Sequence, residues 1–369
     1  MRVVFAGGGT GGHLYPALAI ARAMVRLEPT VEPYFVGARR GIERDVLPKS
    51  GFPFALLDLH PLYRSRPWLN GRTIGGLARA WRALGGIARE RTPAAIVGTG
   101  GYASGAALAY AMVHRFPIAL QEQNSYPGLT TRLASRVARE IYLGYEDAAR
   151  HLHPRQGAWV GETGNPIEPP PSPRPNRAAA RLHWGFPPDG GRVLLAFGGS
   201  QGARPLNEAL AAWIARGVPN DLYVIWATGA GGYHAFKHLA SERVRVEPYL
   251  APIADAYAAS DLALTRAGAL TSAELNAWGI PAILVPLPTA AADHQSANAR
   301  ALSSAGAAVM LAQRDLSAGT LEGTIGGLLN EPARLAAIAS RAADRGRPFA
   351  AETIARRVLA LARGGAAQA

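Results

Sequence analysis

The chain of 369 residues has no cysteine. Disulfides and cysteine-based metal sites are therefore excluded, and a reducing compartment fits. Lysine is nearly absent too. Lys49 and Lys237 stand alone, so arginine carries the net charge of +13. That balance favours an anionic partner such as nucleic acid, an acidic membrane or a phosphorylated substrate, although the base composition of a genome also inflates arginine and alanine. No run of about 18 apolar residues occurs, which argues against a membrane-spanning helix. The N-terminus enters a strand directly without a signal-peptide pattern, so a cytoplasmic location is expected.

Glycine and apolar side chains are what the chain has in quantity: 42 glycines and 49% hydrophobic residues. The length suggests two domains, each with its own core. The stretch Val3-Val4-Phe5-Ala6-Gly7-Gly8-Gly9-Thr10-Gly11-Gly12-His13 reads as a buried strand, a glycine loop and the start of a helix. Glycines let a backbone approach a ligand closely, and a helix N-terminus offers free N–H groups, so such a loop suits phosphate.

Short apolar strands at Arg2–Ala6, Val31–Val36, Ala94–Val97, Ile118–Gln121, Glu140–Leu143 and Ala158–Val160 alternate with helical segments. This predicts an α/β fold with a parallel sheet covered on both faces. Gly164–Pro175 holds six prolines and must be extended. After it the pattern restarts with the strand Val193–Phe197, a second glycine loop at Gly198-Gly199-Ser200-Gln201-Gly202 and a helix. Further strands are predicted at Leu222–Ala227, Val244–Val246, Leu262–Thr265 and Ala282–Val285. The repeat suggests two Rossmann-like domains facing across a cleft, residues 1–163 and 164–346, with the C-terminal segment 347–369 packing back on the first.

The first glycine loop is a poor dinucleotide site. It matches G-x-G-x-x-G, but the second strand ends Phe35-Val36-Gly37 without the acidic residue that grips a ribose. His13-Leu14 follows where a Walker loop needs Lys-Ser/Thr. The second half is better equipped. Arg266-Ala267-Gly268-Ala269-Leu270-Thr271-Ser272-Ala273-Glu274 forms a turn opening a helix after a strand. Its amides suit a diphosphate and Glu274 suits a ribose diol, although Thr271 and Glu274 also fit a helix capping box. Gln295, in Asp293-His294-Gln295, offers donor and acceptor to sugar hydroxyls, or else begins a solvated helix. No Asp-x-Asp pair exists to hold a diphosphate through a metal, so backbone amides would take that role.

Six motifs occur in one order: Gly9-Thr10-Gly11-Gly12-His13-x-x-Pro16-Ala17, Gln123-Asn124-x-x-Pro127-Gly128-x-x-Thr131, Gly164-Asn165-Pro166, Gly198–Arg204, Arg266–Glu274 and Asp293-His294-Gln295-x-x-Asn298-Ala299. Together they resemble the MurG family of peptidoglycan N-acetylglucosaminyltransferases, over essentially the whole chain. The resemblance implies a GT-B fold and inverting transfer of N-acetylglucosamine from UDP-N-acetylglucosamine to the 4-hydroxyl of the muramoyl sugar of lipid I. It implies that Glu274 binds the ribose, the backbone near Leu250 the uracil, Ser200 and the turn Ala269, Leu270 and Thr271 the diphosphate, and Gln295 the sugar. Thr10, Gly11, Gly12 and Asn124 would touch donor sugar or acceptor. Some family members carry arginine shortly after Gly-Asn-Pro, where this chain has Ile167-Glu168.

His13 is the candidate base, since a helix N-terminus favours neutral imidazole; the alternative is a neutral residue that orients phosphate or sugar. The amides of Gly199–Gly202 and Ala269–Thr271 would meet charge developing on UDP. No cofactor, metal or nucleic acid is expected. A lipid-linked acceptor implies peripheral contact with the anionic cytoplasmic face of the plasma membrane. Trp68, Leu69 and Arg72 form the candidate contact. Ile74, Leu77, Trp81, Leu84 and Ala88 in the following helix read as either a core-facing or a lipid-facing stripe. A GT-B-like UDP-sugar epimerase and a non-catalytic basic protein binding nucleic acid are the alternatives.

Overall fold

The strands are near-continuous apolar runs separated by helices, a pattern that buries a parallel sheet on both faces. The structure, a computed structural model, describes residues 1–59, 71–199 and 202–364, with only the backbone for 71–74. Two compact units result, Met1–Glu168 with Phe349–Ala369, and Pro169–Pro348. The sequence reading divides the chain instead after 163 and 346; the proline run Pro169–Pro175 falls wholly in the second unit.

The first unit holds β1 (Arg2–Gly7), β2 (Glu32–Ala38), β3 (Phe54–Leu57), β4 (Pro93–Gly100), β5 (Ile118–Glu122), β6 (Glu140–Leu143) and β7 (Trp159–Glu162). All pair in parallel, in the order β3-β2-β1-β4-β5-β6-β7. The second unit holds β8 (Arg192–Phe197), β9 (Leu222–Ala227), β10 (Val244–Glu247), β11 (Leu262–Thr265), β12 (Ala282–Leu284) and β13 (Val309–Met310), ordered β10-β9-β8-β11-β12-β13. Both orders are those of a Rossmann sheet. The sequence reading misses β3 and β13. Both are edge strands of only four and two residues, too short for a strand pattern to stand out from the neighbouring apolar sequence.

Side chains alternate across the first sheet as the pleat requires. Val3 and Phe5 enter a core with the helix Gly11–Leu27, and Val4 and Ala6 enter another with the helices Gly71–Glu90 and Tyr102–Val113. The helix Ala350–Ala362 closes the first of these cores. Its Ile354, Ala355 and Val358 are fully buried among Leu14, Leu18 and Met24. It is also held by an ion pair. Arg357 Nε donates to Glu140 Oε2 at 2.9 Å, with the two side chains 12% and 6% exposed. Tyr142 donates to the same oxygen at 2.6 Å, and Arg357 stacks 3.6 Å from the centre of the Trp159 ring. Burial, reinforced by Glu140, pushes the Tyr142 phenol well above its usual range, so it remains a donor.

Because Ile354 contributes to a core it reaches from the far end of the chain, Ile354→Ala should destabilise the first unit by about 2–5 kcal/mol. Urea denaturation followed by tryptophan fluorescence measures this. An unchanged midpoint would show that the C-terminal helix contributes no stability.

Candidate functional site

In each sheet the strand order reverses beside the unit's first strand, between β1 and β4 and between β8 and β11. Ligands of open α/β sheets bind at the carboxyl edge of such a reversal. The loops that carry the motifs leave the sheets there.

In the first unit, β1 leads through the glycine loop into the helix Gly11–Leu27, with Thr10 as an extended, exposed N-cap whose side chain makes no capping bond. His13 lies in the first turn. The loop after β4 packs on its ring: Gly100 and Gly101 have φ of +93° and +75°, and a Cβ on either would stand 3.0 Å from the imidazole. At Gly101 a Cβ would also meet the Gly8 carbonyl oxygen at 2.1 Å, so only glycine fits.

A buried amide network sets the state of that histidine. Gln123 Nε2 donates to the carbonyls of Thr99 at 2.9 Å and Gln121 at 3.2 Å. Its Oε1 therefore faces His13 Nδ1, 2.9 Å away. An amide oxygen only accepts, so Nδ1 is the donor here, and in the neutral ring Nε2 is the nitrogen with the lone pair. Asn165, from the Gly-Asn-Pro motif, supports Gln123 by donating to its carbonyl at 2.9 Å and accepting from Gln121 Nε2 at 3.2 Å. Asn124 lies beside this network. Its backbone N–H and side-chain amide both donate to buried Glu122, whose other oxygen accepts from Gly128 N.

Glu43 corrects the simple phosphate-cradle reading of the loop. It is fully buried, and its Oε1 accepts from Gly9 N at 2.9 Å and Ala38 N at 3.1 Å. The Gly9 amide is thus committed to a carboxylate behind the loop. Gly11 and Gly12, the first two helical residues, keep N–H groups without an intrahelical acceptor. Pro16 has no N–H, so the Gly12 carbonyl lacks its usual helical donor. After Gly-Asn-Pro, Ile167 is buried and Glu168 pairs with Arg22 at 3.0 Å.

In the second unit, Ser200 falls outside the described residues. Nearby, Gly202 N donates to Gly199 O at 2.9 Å, so this amide closes its own turn and is removed from the set of anion donors. The helix Ala269–Trp278 opens with Gly268 as N-cap, without a side-chain cap and without an acidic residue in its first turn. The capping-box alternative is therefore not realised. Behind Ala269, the first helical residue, Leu270 and Thr271 carry first-turn amides that have no acceptor within the helix. Glu274 is taken by Tyr257, whose O–H donates to Oε2 at 2.7 Å. Burial raises the Glu274 pKa, and the Tyr257 hydrogen bond only partly offsets this. Leu250 is half-buried between β10 and the helix Ile253–Ala259. Gln295 Oε1 accepts from Leu287 N at 2.9 Å, which leaves its NH2 as donor rather than both halves of the amide.

Sequence reasoning leaves Arg266 without a role. The residue is 8% exposed, forms no ion pair among the described residues, and donates to the carbonyls of Val285 at 3.1 Å and Pro286 at 3.2 Å. Burial lowers its pKa. Its charge sits two residues from the Gly268 cap, at the edge that the first-turn amides already make positive. Asn298 is structural: fully buried, it donates to Ala267 O at 3.3 Å and ties the turn to the helix His294–Ser304.

Residues 3–143 match the glycosyltransferase family 28 N-terminal domain and residues 193–355 the glycosyltransferase family 28 C-terminal domain. A Moorella thermoacetica protein is 39% identical over 97% of this chain and 98% of its own length. A Salinibacter ruber protein is 42% identical over 98% and 96%. Both are named UDP-N-acetylglucosamine–N-acetylmuramyl-(pentapeptide) pyrophosphoryl-undecaprenol N-acetylglucosamine transferase. The crystal structure of Acinetobacter baumannii MurG superposes with a TM-score of 0.75 at 27% identity, covering 96% of this chain and 98% of that one. The chain belongs to the MurG family. It has the family's GT-B fold of two Rossmann-like domains. The calicheamicin glycosyltransferase CalG4 and a Neisseria meningitidis UDP-GlcNAc 2-epimerase share the fold at 14% identity, with TM-scores of 0.67 and 0.64. At that distance they bear on architecture alone.

The Glu274 carboxyl has a testable cost in the ligand-free protein. Its folded pKa is raised, so above the ordinary value of 4.5 the unfolded chain releases a proton that the folded chain retains. Stability must fall as pH rises from there through the folded value, and stay lower above it. Glu274→Gln removes the penalty and keeps an acceptor for Tyr257. Its melting temperature should exceed wild type at neutral pH and converge with it below pH 4.5. A wild-type advantage at neutral pH would contradict this.

Proposed function

We infer that this protein transfers N-acetylglucosamine from UDP-N-acetylglucosamine to the 4-hydroxyl of the muramoyl sugar of lipid I, with inversion, releasing UDP in peptidoglycan synthesis. Full-length identity of about 40% to transferases named for that reaction carries the reading. The first-turn amides, Arg266 and Glu274 at one carboxyl edge supply the matching donor chemistry. The epimerase alternative is not favoured, since those proteins share only the fold.

In this reading Glu274, ionised, accepts from the two ribose hydroxyls, and the backbone at Leu250 meets the uracil. The amides of Leu270 and Thr271 bind the diphosphate together with Ala269 and Ser200, and Arg266 adds charge. The NH2 of Gln295 donates to the sugar. Thr10, Gly11, Gly12 and Asn124 hold sugar or acceptor hydroxyls. His13 Nε2 takes the proton of the acceptor hydroxyl, whose oxygen attacks the anomeric carbon as the bond to UDP breaks on the opposite face. Nδ1–H, held by Gln123, stabilises the imidazolium. The charge leaving with UDP is met by first-turn amides, which need no reorganisation.

A polyprenyl-linked acceptor requires the protein to work at a membrane surface. No helix among the described residues is long and apolar enough to cross a membrane. Trp68 and Leu69 lie outside the described residues, as does the Arg72 side chain. The helix Gly71–Glu90 that follows divides its apolar residues differently from either sequence reading. Ala80, Leu84 and Ile87 face the core, whereas Leu77 is 44% and Trp81 37% exposed. Trp81 packs 5.0 Å from Tyr110, on the helix that ends in the exposed Met112 and Val113. Arg82, next to Trp81, and Arg115, two residues after Val113, are exposed. An apolar patch with such a basic rim fits an anionic lipid surface.

Release of UDP from UDP-N-acetylglucosamine, dependent on a lipid I analogue, tests the reaction. Isomerised donor would support the epimerase, and neither product would support binding alone. His13→Ala should lower kcat by about 10²–10⁴-fold with little change in UDP affinity; near-normal turnover removes the base role. Leu77→Ser with Met112→Ser should weaken retention on anionic liposomes by about tenfold or more without unfolding the protein. Undiminished retention in a flotation assay would assign the contact elsewhere.

A further inference from the structure

The second sheet has a cavity at its other edge, where β8, β11 and β12 begin, opposite the edge that carries the first-turn amides. Its volume is about 390 Å³, within the range of small-molecule sites. Arg174, Arg177 and Arg192 line it, and Asp261 is the one acidic residue among its lining. Three guanidinium groups against one carboxylate leave two positive charges in excess.

These arginines are held in place without being neutralised. Asp261 is 10% exposed; its Oδ2 accepts from Arg177 at 2.7 Å and from Val193 N at 2.8 Å, and its Oδ1 from Arg192 at 3.5 Å. Arg174 makes no ion pair among the described residues. It donates to Ala277 O at 2.8 Å and lies 5.2 Å from the centre of the Trp278 ring. Like charges lining one cavity repel, so the excess positive charge favours an anion there. Trp278, Pro281 and Leu335 supply apolar and aromatic wall, beside Ser260. Pre-oriented guanidinium groups recognise phosphate with two parallel hydrogen bonds. The aromatic wall suits an attached ring or apolar group.

The cavity also touches the chemistry of the opposite edge. Tyr257 lines it, with its ring 5.5 Å from Trp278, while the same residue's O–H donates to Glu274 at 2.7 Å. Glu274 and Trp278 are one turn apart on a single helix. We propose that this cavity is a second ligand site, for a small organic phosphate, whose occupancy alters nucleotide affinity through Tyr257 and Glu274. The coupling rests on reading Glu274 as the ribose ligand; the site itself does not. Linkage makes the effect reciprocal.

The probe is phenyl phosphate, titrated calorimetrically in a phosphate-free buffer into protein saturated with UDP, so that the diphosphate position is already filled. One saturable site should appear. Arg177→Gln and, independently, Ala336→Trp, which fills the cavity from an exposed helix position, should each weaken it about tenfold or more while UDP still binds. Saturating phenyl phosphate should change the UDP dissociation constant several-fold in wild type and leave it unchanged in Tyr257→Phe. No binding to the UDP-loaded protein, or binding as tight as wild type in both variants, overturns the site. An unchanged UDP constant in wild type overturns the coupling. If UDP itself fails to bind, the donor reading falls, and the two variants still decide the cavity in ligand-free protein.

Discussion

A parallel sheet whose order reverses beside its first strand leaves two neighbouring loops diverging at its carboxyl edge, with no crossover between them. In this chain that gap is formed twice. In the first unit it lies between β1 and β4, and the glycine loops of both strands meet there around His13. In the second it lies between β8 and β11, where the helix that begins at Ala269 points its first turn outward. Helix N-termini at such gaps supply fixed positive potential at no side-chain cost.

Buried polar groups then give each gap its specific chemistry. Low dielectric strengthens hydrogen bonds but penalises any that are left unmade, so a network tolerates few arrangements. Gln123 satisfies its NH2 on two backbone carbonyls and therefore has only its oxygen to offer His13. Glu43 occupies the Gly9 amide from behind. In the second unit Tyr257 stands between a carboxyl raised by burial and an arginine-lined cavity. In each case a neighbouring side chain decides what the edge residue presents.

Most of the architecture was legible because its signals are local. Apolar runs such as Val193–Phe197 read as buried strands, and Ile354, Val358 and Leu361 repeat at helical spacing. The edge strands β3 and β13 were not legible, since runs of four and two residues are too short to show a strand period, although every residue in them is apolar. The helix Gly71–Glu90 carries enough apolar residues for more than one stripe. Only the packing of Ala80, Leu84 and Ile87 shows which of them faces the core.

The sequence by itself determined two Rossmann-like units, the glycine loops that begin them, and the motif order of a family. These follow from short-range patterning and from residue types that few other positions require. Tertiary structure alone decided the partner of the His13 ring, the engagement of the Gly9 amide, the partner of Glu274 and the gathering of three arginines and Asp261 around one cavity. Each depends on groups apart in the chain: Gln123 is 110 residues from His13, and Glu274 is 17 from Tyr257. Which donor reaches which acceptor is set by how the sheets bring their loops together, and residue order carries no direct record of it.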